Sequence, residues 1–241
     1  MTQSEAVFKT IDRLGGIATL GQLYQETFKI KDCKWGTKTP FASIRRIVQD
    51  LDKKGILIKL RPGLYAIPTP NTIKLQSTSD KTEANAFTHS YYQGLLVEIG
   101  KMGLYSTYIP AQDKNKKFLT STLGEIADTI VLPDFTYRDI LSRVKTIDVL
   151  WFNNRHFINS AFEIEHSTDI QNSLLKFVEL QDFNIKFSII ADDKRENEFS
   201  KKINYTAFES IRDRVKFHSY SEISDLHSNL SRLHALNSSI L

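Results

Sequence analysis

Two glutamates near the middle of the chain have a spacing that suits chemistry on a strand. In the stretch AFEIEHS, residues 161–167, Glu163 and Glu165 alternate with Phe162 and Ile164. Side chains of a strand alternate between its two faces, so both glutamates lie on one face, about 7 Å apart. Two like charges at this spacing repel each other, so this face is either solvated or next to a positive charge.

A third carboxylate, Asp148, belongs to the same group if the neighbouring strands form a hairpin. The apolar runs TIDVLWFN and FINSAFEIE, separated by NNRH, predict two antiparallel strands. With the turn centred between Arg155 and His156, residues whose numbers sum to 311 face each other, and Asp148 lies opposite Glu163. Facing side chains have Cβ atoms about 5 Å apart. Three carboxylates this close need a compensating positive charge, and Mg²⁺, which prefers oxygen ligands, is the natural partner.

Helical and strand patterns on both sides of the hairpin predict the elements that position these carboxylates. HSYYQGLLVEIGKMG and DIQNSLLKFVELQ have helical spacing of apolar residues, and FNIKFSIIAD and VKFHSYS are strand-like. The order from about residue 88 is helix, several strands, helix, strand. This order predicts an α/β (α+β) fold with a mixed sheet.

The carboxylate pattern resembles the signature of the PD-(D/E)xK nuclease superfamily, and the element order resembles its αβββαβ restriction-endonuclease-like core. The resemblance implies that Asp148 and Glu163 are catalytic metal ligands that bind Mg²⁺. It puts Glu165 at the position where most members have lysine, as a base or as a further ligand, and Ile147 where the motif name has proline.

The same resemblance implies roles for two helical residues. Many members carry a glutamate on the first core helix, and Glu98 in LLVEIG matches it by position as a catalytic residue. Lys176, on the helix after the glutamates, is a candidate for the missing lysine. Its spacing, however, points away from the apolar face of that helix, which is formed by Ile170, Leu174 and Phe177.

The first part of the chain is basic and the rest is slightly acidic. Residues 1–68 contain 12 Lys and Arg residues against 6 Asp and Glu residues, and the remaining residues contain 20 against 22. A basic module fits nucleic acid, because phosphates attract clustered Lys and Arg, although a solvated lysine-rich surface has the same composition. EAVFKTIDRL, LGQLYQETF and FASIRRIVQDLDKK predict three helices, and ILIKLR and LYAIP predict a hairpin with its turn at Pro62-Gly63.

Three helices followed by a hairpin resemble a winged helix-turn-helix, most closely over TPFASIRRIVQDLDKKGILIKLRPGLYAIP. The resemblance implies that the third helix enters the major groove of DNA and that residues beside the wing turn contact phosphates. A winged helix used only for protein contacts is the alternative. The implied DNA-binding residues are Lys38, Ser43, Arg45, Arg46, Gln49, Lys53, Lys59 and Arg61.

Composition divides the chain into three predicted parts and excludes several classes of protein. We predict a winged helix domain over residues 1–68, a polar linker over 69–87 and a nuclease domain over 88–241. One cysteine, Cys33, excludes an intrachain disulfide and a thiolate zinc cluster. The six histidines lack HExxH spacing, and no GxSxG, Walker A or GxGxxG motif occurs.

The sequence gives no sign of export or of a membrane partner. No apolar run has the length of a transmembrane helix, and the start MTQSEAV does not resemble a signal peptide. A reducing, cytoplasmic compartment is therefore expected.

Together these patterns predict a Mg²⁺-dependent, sequence-specific endonuclease that cuts double-stranded DNA, a Type II restriction enzyme, with a homodimer cutting the two strands. Two alternatives stay open. One is a winged-helix transcriptional regulator or antitoxin whose α/β domain is not catalytic. The other is a nuclease that acts on modified or damaged DNA.

Overall fold

The computed structural model describes residues 1–76, 81–166 and 169–240. The chain forms two compact units. One consists of Met1–Phe87 with Ser224–Leu241, and the other is Thr88–Ile223. None of the helices in the described ranges is both long enough and apolar enough to cross a membrane.

The first unit combines helices with a small antiparallel sheet. Its elements are α1 (Gln3–Arg13), β1 (Ile17–Thr19), α2 (Leu20–Glu26), α3 (Pro40–Lys53), β2 (Ile58–Arg61), β3 (Leu64–Ala66) and α4 (Pro70–Gln76). The strand order is β1-β3-β2, with β3 antiparallel to both neighbours. Thr2 and Thr19 begin α1 and α2 with capping boxes, which satisfy backbone N–H groups of the first turn.

The apolar stripe predicted for the third helix is confirmed in α3. The buried residues of this helix are Ile44, Ile47, Val48 and Leu51, and they pack with α1, α2 and Tyr65 in one core. Pro40 stands in the first turn, where its missing N–H costs nothing. The core therefore fixes which face of α3 is left for solvent.

The rest of the chain contains longer helices and a larger sheet. Its elements are α5 (Lys81–Met102), β4 (Ser106–Tyr108), β5 (Lys117–Phe118), β6 (Ser121–Thr122), α6 (Leu123–Ile126), α7 (Arg138–Val144), β7 (Val149–Phe152), β8 (Ile158–Glu165), α8 (Ile170–Val178), β9 (Lys186–Ala191), α9 (Glu196–Ile203), β10 (Val215–Ser219) and α10 (Tyr220–Ile240).

The predicted mixed sheet is confirmed. Five strands lie in the order β10-β9-β8-β7-β4. The pairs β4–β7 and β7–β8 are antiparallel, whereas β8–β9 and β9–β10 are parallel. Because parallel neighbours need a crossover connection, α8 lies between β8 and β9 in the chain, and α9 between β9 and β10.

The register of the β7–β8 hairpin agrees with the predicted one where the carboxylates lie. Val149 faces Phe162 and Trp151 faces Ser160, so the paired residue numbers sum to 311. The register then shifts by one residue, and Phe152 faces Ile158, which leaves Asn159 as a bulge. The shift lies on the turn side of the hairpin, so the register next to Asp148 is unaffected.

The sheet is covered by helices that pack closely on it. On α8, Leu174 and Phe177 are fully buried, and the Phe177 ring stacks on Phe187 of β9 at 4.8 Å between ring centroids. Helix α5 packs against β7 at Trp151, whose Nε1 donates to the Leu96 carbonyl of α5 at 3.0 Å. A Cβ atom at Gly100 would lie only 2.6 Å from the same nitrogen, so this close approach requires glycine.

The segment predicted as a linker, residues 69–87, contains helical structure. It includes α4 and the start of α5, and its residues 77–80 lie outside the described residues. The hydroxyl of Thr69 accepts a hydrogen bond from the Thr72 N–H at 3.2 Å, and Pro70 follows at the first helical position. This cap and proline start a helix in a stretch with few large apolar residues. Residues 224–241, which fall within the predicted domain 88–241, group with the first unit.

Candidate active site

Asp148, directly before β7, is held against the neighbouring strand. It is 8% exposed, and its Oδ2 accepts a hydrogen bond from the Ile164 N–H at 2.7 Å. This bond crosses from one strand of the hairpin to the other at the predicted position. The bond holds the Asp148 carboxylate at the backbone N–H of Ile164, the residue between the two glutamates of β8.

Glu163 and Glu165 are buried, with exposures of 2% and 3%. Of the two possibilities for this strand face, the solvated one is therefore wrong. The hydroxyl of Ser173, on α8, lies 3.0 Å from Glu163 Oε2 and also contacts Glu165 Oε1. A hydroxyl has a single proton, so Ser173 donates to only one of these carboxylates at a time. The contact joins the three groups into one hydrogen-bonded cluster.

Lys176 lies at this cluster, three residues after Ser173 on α8. Its Nζ is 2.9 Å from both Glu163 carboxylate oxygens and 2.9 Å from the Thr146 carbonyl. The sequence correctly predicts that Lys176 points away from the apolar face of its helix. The neighbouring face of α8, however, covers the glutamates, because residues three apart on a helix lie side by side.

Arg195 reaches Glu165 from the other end of the cluster. It ends a 3₁₀ turn at Asp193–Arg195, and its Nη1 donates to the Glu165 carbonyl at 3.1 Å and lies 3.8 Å from Oε2. The same guanidinium bonds Glu198, one turn further along the chain. Nothing in the local sequence singles out this arginine, since it comes thirty residues after its partner.

Two residues of α5 contact Asp148 from the opposite side. His89 Nε2 lies 3.3 Å from Asp148 Oδ1, and Gln93 Nε2 donates to the Asp148 carbonyl at 3.1 Å. Gln93 Nε2 also donates to Asp113 Oδ2 at 2.8 Å, and Lys116 Nζ is 2.7 Å from Asp113 Oδ1. The sequence predicts none of these residues, because they converge from a helix and a short turn with no shared local pattern.

Glu98, the predicted catalytic residue of the first core helix, lies on a different face of α5. It comes nine residues after His89, which at about 100° per residue is half a turn away. The side of α5 that faces Asp148 carries His89 and Gln93 instead. The structure therefore brings together Asp148, Glu163, Glu165 and Lys176. Glu98 lies on the opposite side of α5 from His89, which contacts Asp148.

Burial and charge act together on the titration of the cluster. Burial raises the pKa of Glu163 well above its ordinary value, and the Asp148 charge adds to this, against the lowering influence of Lys176 and Ser173. Burial works in the same direction on Asp148, but His89, the Ile164 N–H and Lys176 outweigh it and hold the Asp148 pKa below its usual value. Burial opposes the charge on Lys176, yet Glu163 first and then Asp148 and Glu165 raise the Lys176 pKa. The crowded carboxylates thus favour a cation.

The predicted DNA-binding residues lie in the first unit, most of them on the solvent side of α3 and β2. Arg45, Arg46, Gln49 and Lys53 are exposed on α3, as are Lys38 before it and Lys59 on β2, and Ser43 is partly buried. Arg45 Nη2 lies 3.4 Å from Asp225 Oδ1. The exposure of Arg45, Arg46, Gln49 and Lys53 agrees with the helical spacing that predicts the outer face of α3.

Arg61 differs from the other predicted DNA-binding residues. Its guanidinium donates to the carbonyls of Leu60, Leu75 and Ala84 and lies 5.5 Å from the centre of the Phe87 ring. A guanidinium held by three carbonyl groups links β2 to α4 and α5. Arg61 is therefore placed for a structural task within its unit.

Comparison with known proteins identifies the family. A family model described as the Type II restriction enzyme NmeDI C-terminal domain matches residues 67–241. The Type II restriction enzyme NmeDI of Neisseria meningitidis serogroup C is 26% identical over 99 residues, which cover 39% of this chain and 28% of that protein. The chain thus aligns with well under half of this relative. No solved structure matches. Because the family model covers most of the chain, the protein belongs to the NmeDI C-terminal domain family of Type II restriction enzymes.

Proposed function

We propose that this protein is a Type II restriction enzyme, a Mg²⁺-dependent endonuclease that cuts double-stranded DNA at specific sequences. One observation carries the proposal. Asp148, Glu163 and Glu165 are buried at the β7–β8 hairpin, where the partly exposed Lys176 pairs with Glu163, in a chain of the NmeDI C-terminal domain family. Burying several carboxylates is costly unless a charge partner or a metal ion compensates them. Such a cost is expected where the charges are needed for function.

The element order supports assigning the second unit to the PD-(D/E)xK superfamily. Helix α5, strands β4, β7 and β8, helix α8 and strand β9 occur in the order of the αβββαβ core, with β5, β6, α6 and α7 inserted between β4 and β7. Within this proposal, Asp148 and Glu163 hold the Mg²⁺ ion. The ion, when bound, polarises the phosphodiester and makes a water molecule more acidic.

Lys176 takes the place of the motif lysine in this proposal. Its ammonium lies 2.9 Å from Glu163, which supports a role like that of the lysine in a Glu-x-Lys motif, although Lys176 comes from the following helix. As a cation it stabilises negative charge on the phosphate that undergoes attack. The absence of a lysine at the position of Glu165 gives some weight to a regulator whose α/β domain is not catalytic, and a lysine supplied by α8 weakens that argument.

Glu165 is proposed as the proton acceptor. Ser173 Oγ contacts both Glu163 and Glu165, so a proton lost by the attacking water molecule on the Glu163 side could be relayed through this hydroxyl: Ser173 would pass its own proton to the Glu165 carboxylate and take up the one that the water loses. Arg195, on the other side of Glu165, holds its backbone carbonyl and stabilises its negative charge. Glu165 then serves as a base and leaves metal binding to Asp148 and Glu163.

The first unit is proposed to bind DNA as a winged helix-turn-helix. Its three helices and three-stranded sheet have the element order of that fold, and α3 presents Arg46, Gln49 and Lys53 to solvent. Arginine and glutamine can pair with base edges in the major groove, and lysine contacts phosphates. Two chains with one site each could cut the two strands together, so a homodimer is proposed, which light scattering with DNA and Ca²⁺ would detect.

Digestion of DNA of known sequence tests the proposed function. With Mg²⁺ the purified protein is expected to give discrete fragments, and EDTA is expected to stop the reaction. Asp148→Asn and Glu163→Gln should lower the cleavage rate about a thousandfold or more, since the ion contributes several kcal/mol to the transition state. Glu209→Gln, at an exposed position of the same unit, is the control and should cut normally.

Three results would count against this proposal. Normal cutting by both Asp148→Asn and Glu163→Gln would show that the site lies elsewhere. Sequence-specific binding of DNA without any metal-dependent cutting would favour the regulator. Smears, or cuts restricted to modified or damaged DNA, would favour a nuclease with that different substrate.

A further inference from the structure

The last helix, α10, packs on elements of the first unit that carry the proposed DNA-binding residues. From Ser224 onwards, α10 belongs to this unit. At the wing turn, a Cβ atom on Gly63 would lie 3.4 Å from Ser224 Cβ. At the start of α2, a Cβ atom on Gly21 would lie 2.5 Å from Ser231 Oγ. The glycine at position 21 therefore lets α10 lie directly against α2, next to the wing turn.

Two side chains of α10 reach one flank of α3. Asp225 Oδ1 lies 3.4 Å from Arg45 Nη2, and the guanidinium carbon of Arg232 lies 5.5 Å from the centre of the Phe41 ring. Phe41 and Arg45 are one turn apart on α3, about 6 Å along its axis, so they lie on the same side of this helix. Arg45 of α3 and Arg232 of α10 therefore lie beside each other, and we call them the arginine pair.

The surroundings of Tyr24, on α2, show that the arginine pair carries an excess of positive charge. Burial raises the pKa of the Tyr24 hydroxyl, the charges of Arg45 and Arg232 oppose this rise, and the charge of Asp225 adds to it. All three charged groups thus lie close enough to act on one hydroxyl. Two positive charges against one negative charge favour an anion as a ligand at this place.

The contact between Arg45 and Asp225 is weak enough to give way to such an anion. The side chains of Arg45 and Asp225 are 46% and 68% exposed, and 3.4 Å is long for a charge-assisted hydrogen bond. Exposed ion pairs of this kind contribute little to stability. A phosphate group can bond a guanidinium through two oxygens at once, so it can displace Asp225 from Arg45 at little cost.

The place of Arg45 on α3 indicates which phosphate this is. A helix in the major groove has base edges in front of it and a phosphate backbone along each side. Arg45 lies on the flank of α3, between the buried stripe and the outermost residues Arg46 and Gln49. We propose that Arg45 and Arg232 together bind one phosphate group of the DNA backbone, which makes α10 part of the DNA interface. This inference rests on the proposed DNA binding by the first unit, to which it adds Arg232.

Binding of the full chain to a fluorescently labelled DNA duplex of random sequence tests the site. Anisotropy in the presence of EDTA, at several salt concentrations, measures affinity without cleavage. Arg232→Ala should weaken binding about fivefold and lower the slope of log Kd against log salt concentration by about 1. Arg13→Ala, which removes an exposed arginine in the last turn of α1, is the matched control and should leave both quantities unchanged.

A double variant tests whether the two arginines share one phosphate. Arg45→Ala alone should weaken binding to a similar extent as Arg232→Ala. The two changes together should weaken binding by less than the product of the single effects, because groups that contact the same partner are not independent. Losses that multiply would assign the arginines to separate phosphates and overturn the shared site.

A variant of opposite sign covers the case in which Arg232→Ala fails to fold. Asp225→Asn removes the negative charge that competes with the phosphate, so affinity should rise about threefold at low salt concentration. Asp12→Asn, at an exposed position near the end of α1, is its matched control and should leave the affinity unchanged. Unchanged or lower affinity in Asp225→Asn would overturn the proposal.

The same measurements separate failure of this site from failure of the proposed function. Weaker binding by Lys59→Ala together with unchanged binding by Arg232→Ala would refute the α10 contact alone. An unaltered chain that does not bind duplex DNA at all would refute the proposed DNA binding by the first unit together with it.

Discussion

The two units use charged side chains in opposite ways. On α3 of the first unit, Arg46, Gln49 and Lys53 are exposed and project from a helix whose other face is apolar core. At the β7–β8 hairpin of the second unit, Glu163 and Glu165 are buried and compensated by neighbouring cations. Exposed charges cost little and can be exchanged freely, whereas buried charges must be matched one against another. The contrast teaches that a substitution should affect binding in the first region and both stability and chemistry in the second.

Among the changes that test this contrast between the two regions, Lys176→Ala is expected to have the largest effect. This change leaves the Glu163 carboxylate buried without its cation, so cleavage should fall at least about a hundredfold. The free energy of unfolding without metal should fall by about 2–4 kcal/mol, less than for a fully buried pair because Lys176 is 25% exposed on its side chain. Chemical denaturation and initial cleavage rates measure the two effects. Added Mg²⁺ should restore part of the stability, and a loss of activity at unchanged stability would contradict the charge-matching explanation.

A moderate effect is expected from Arg46→Ala on α3. If Arg46 contacts a base, affinity for cognate DNA should fall about tenfold or more, while the melting temperature changes little. Fluorescence anisotropy with cognate and unrelated duplexes distinguishes a base contact, which affects the cognate duplex more, from a phosphate contact. Equal stability and equal affinity in this variant would remove α3 from the proposed interface.

The smallest effect is expected from Lys59→Ala at the edge of the small sheet. Loss of one phosphate contact should lower the slope of log Kd against log salt concentration by about 1, at all sequences alike. Arg61→Ala, two residues away, is the informative contrast. Its guanidinium bonds the carbonyls of Leu60, Leu75 and Ala84, so its loss should lower the unfolding temperature and leave the salt slope nearly unchanged. The reverse result would assign the DNA contact to Arg61.

Strand alternation and hairpin counting predict the carboxylate geometry from sequence alone. The position of the turn fixes the sum of the residue numbers that face each other. The predicted sum, 311, agrees with the observed pairs from Val149 to Trp151. The apolar stripe of α3 is predicted for the same reason, since helical periodicity is a local property. Polarity alone does not reveal the helix α4 within the segment predicted as a linker, because the cap at Thr69 and the proline at position 70 begin it.

The remaining site residues depend on tertiary structure that no local pattern encodes. The apolar face of α8 predicts how that helix meets the core, but it does not reveal that Ser173 and Lys176 cover the glutamates. His89 and Asp113 are separated by more than twenty residues and meet only because α5 packs against β7, with Gly100 allowing the close approach to Trp151. Glu98 matches the glutamate of the resembled family by its position on α5. The face of α5 towards Asp148, however, carries His89 and Gln93.

The bulge at Asn159 lies between the turn of the hairpin and the strand segments that carry the carboxylates. Its extra residue lies between the turn and the paired segment, so the count of residues in the turn does not determine which side chains face each other near Asp148. Relatives can therefore gain or lose a residue in the 153–157 turn, with the difference absorbed at the bulge. At this end of the hairpin, a change in length need not move Asp148 or Glu163.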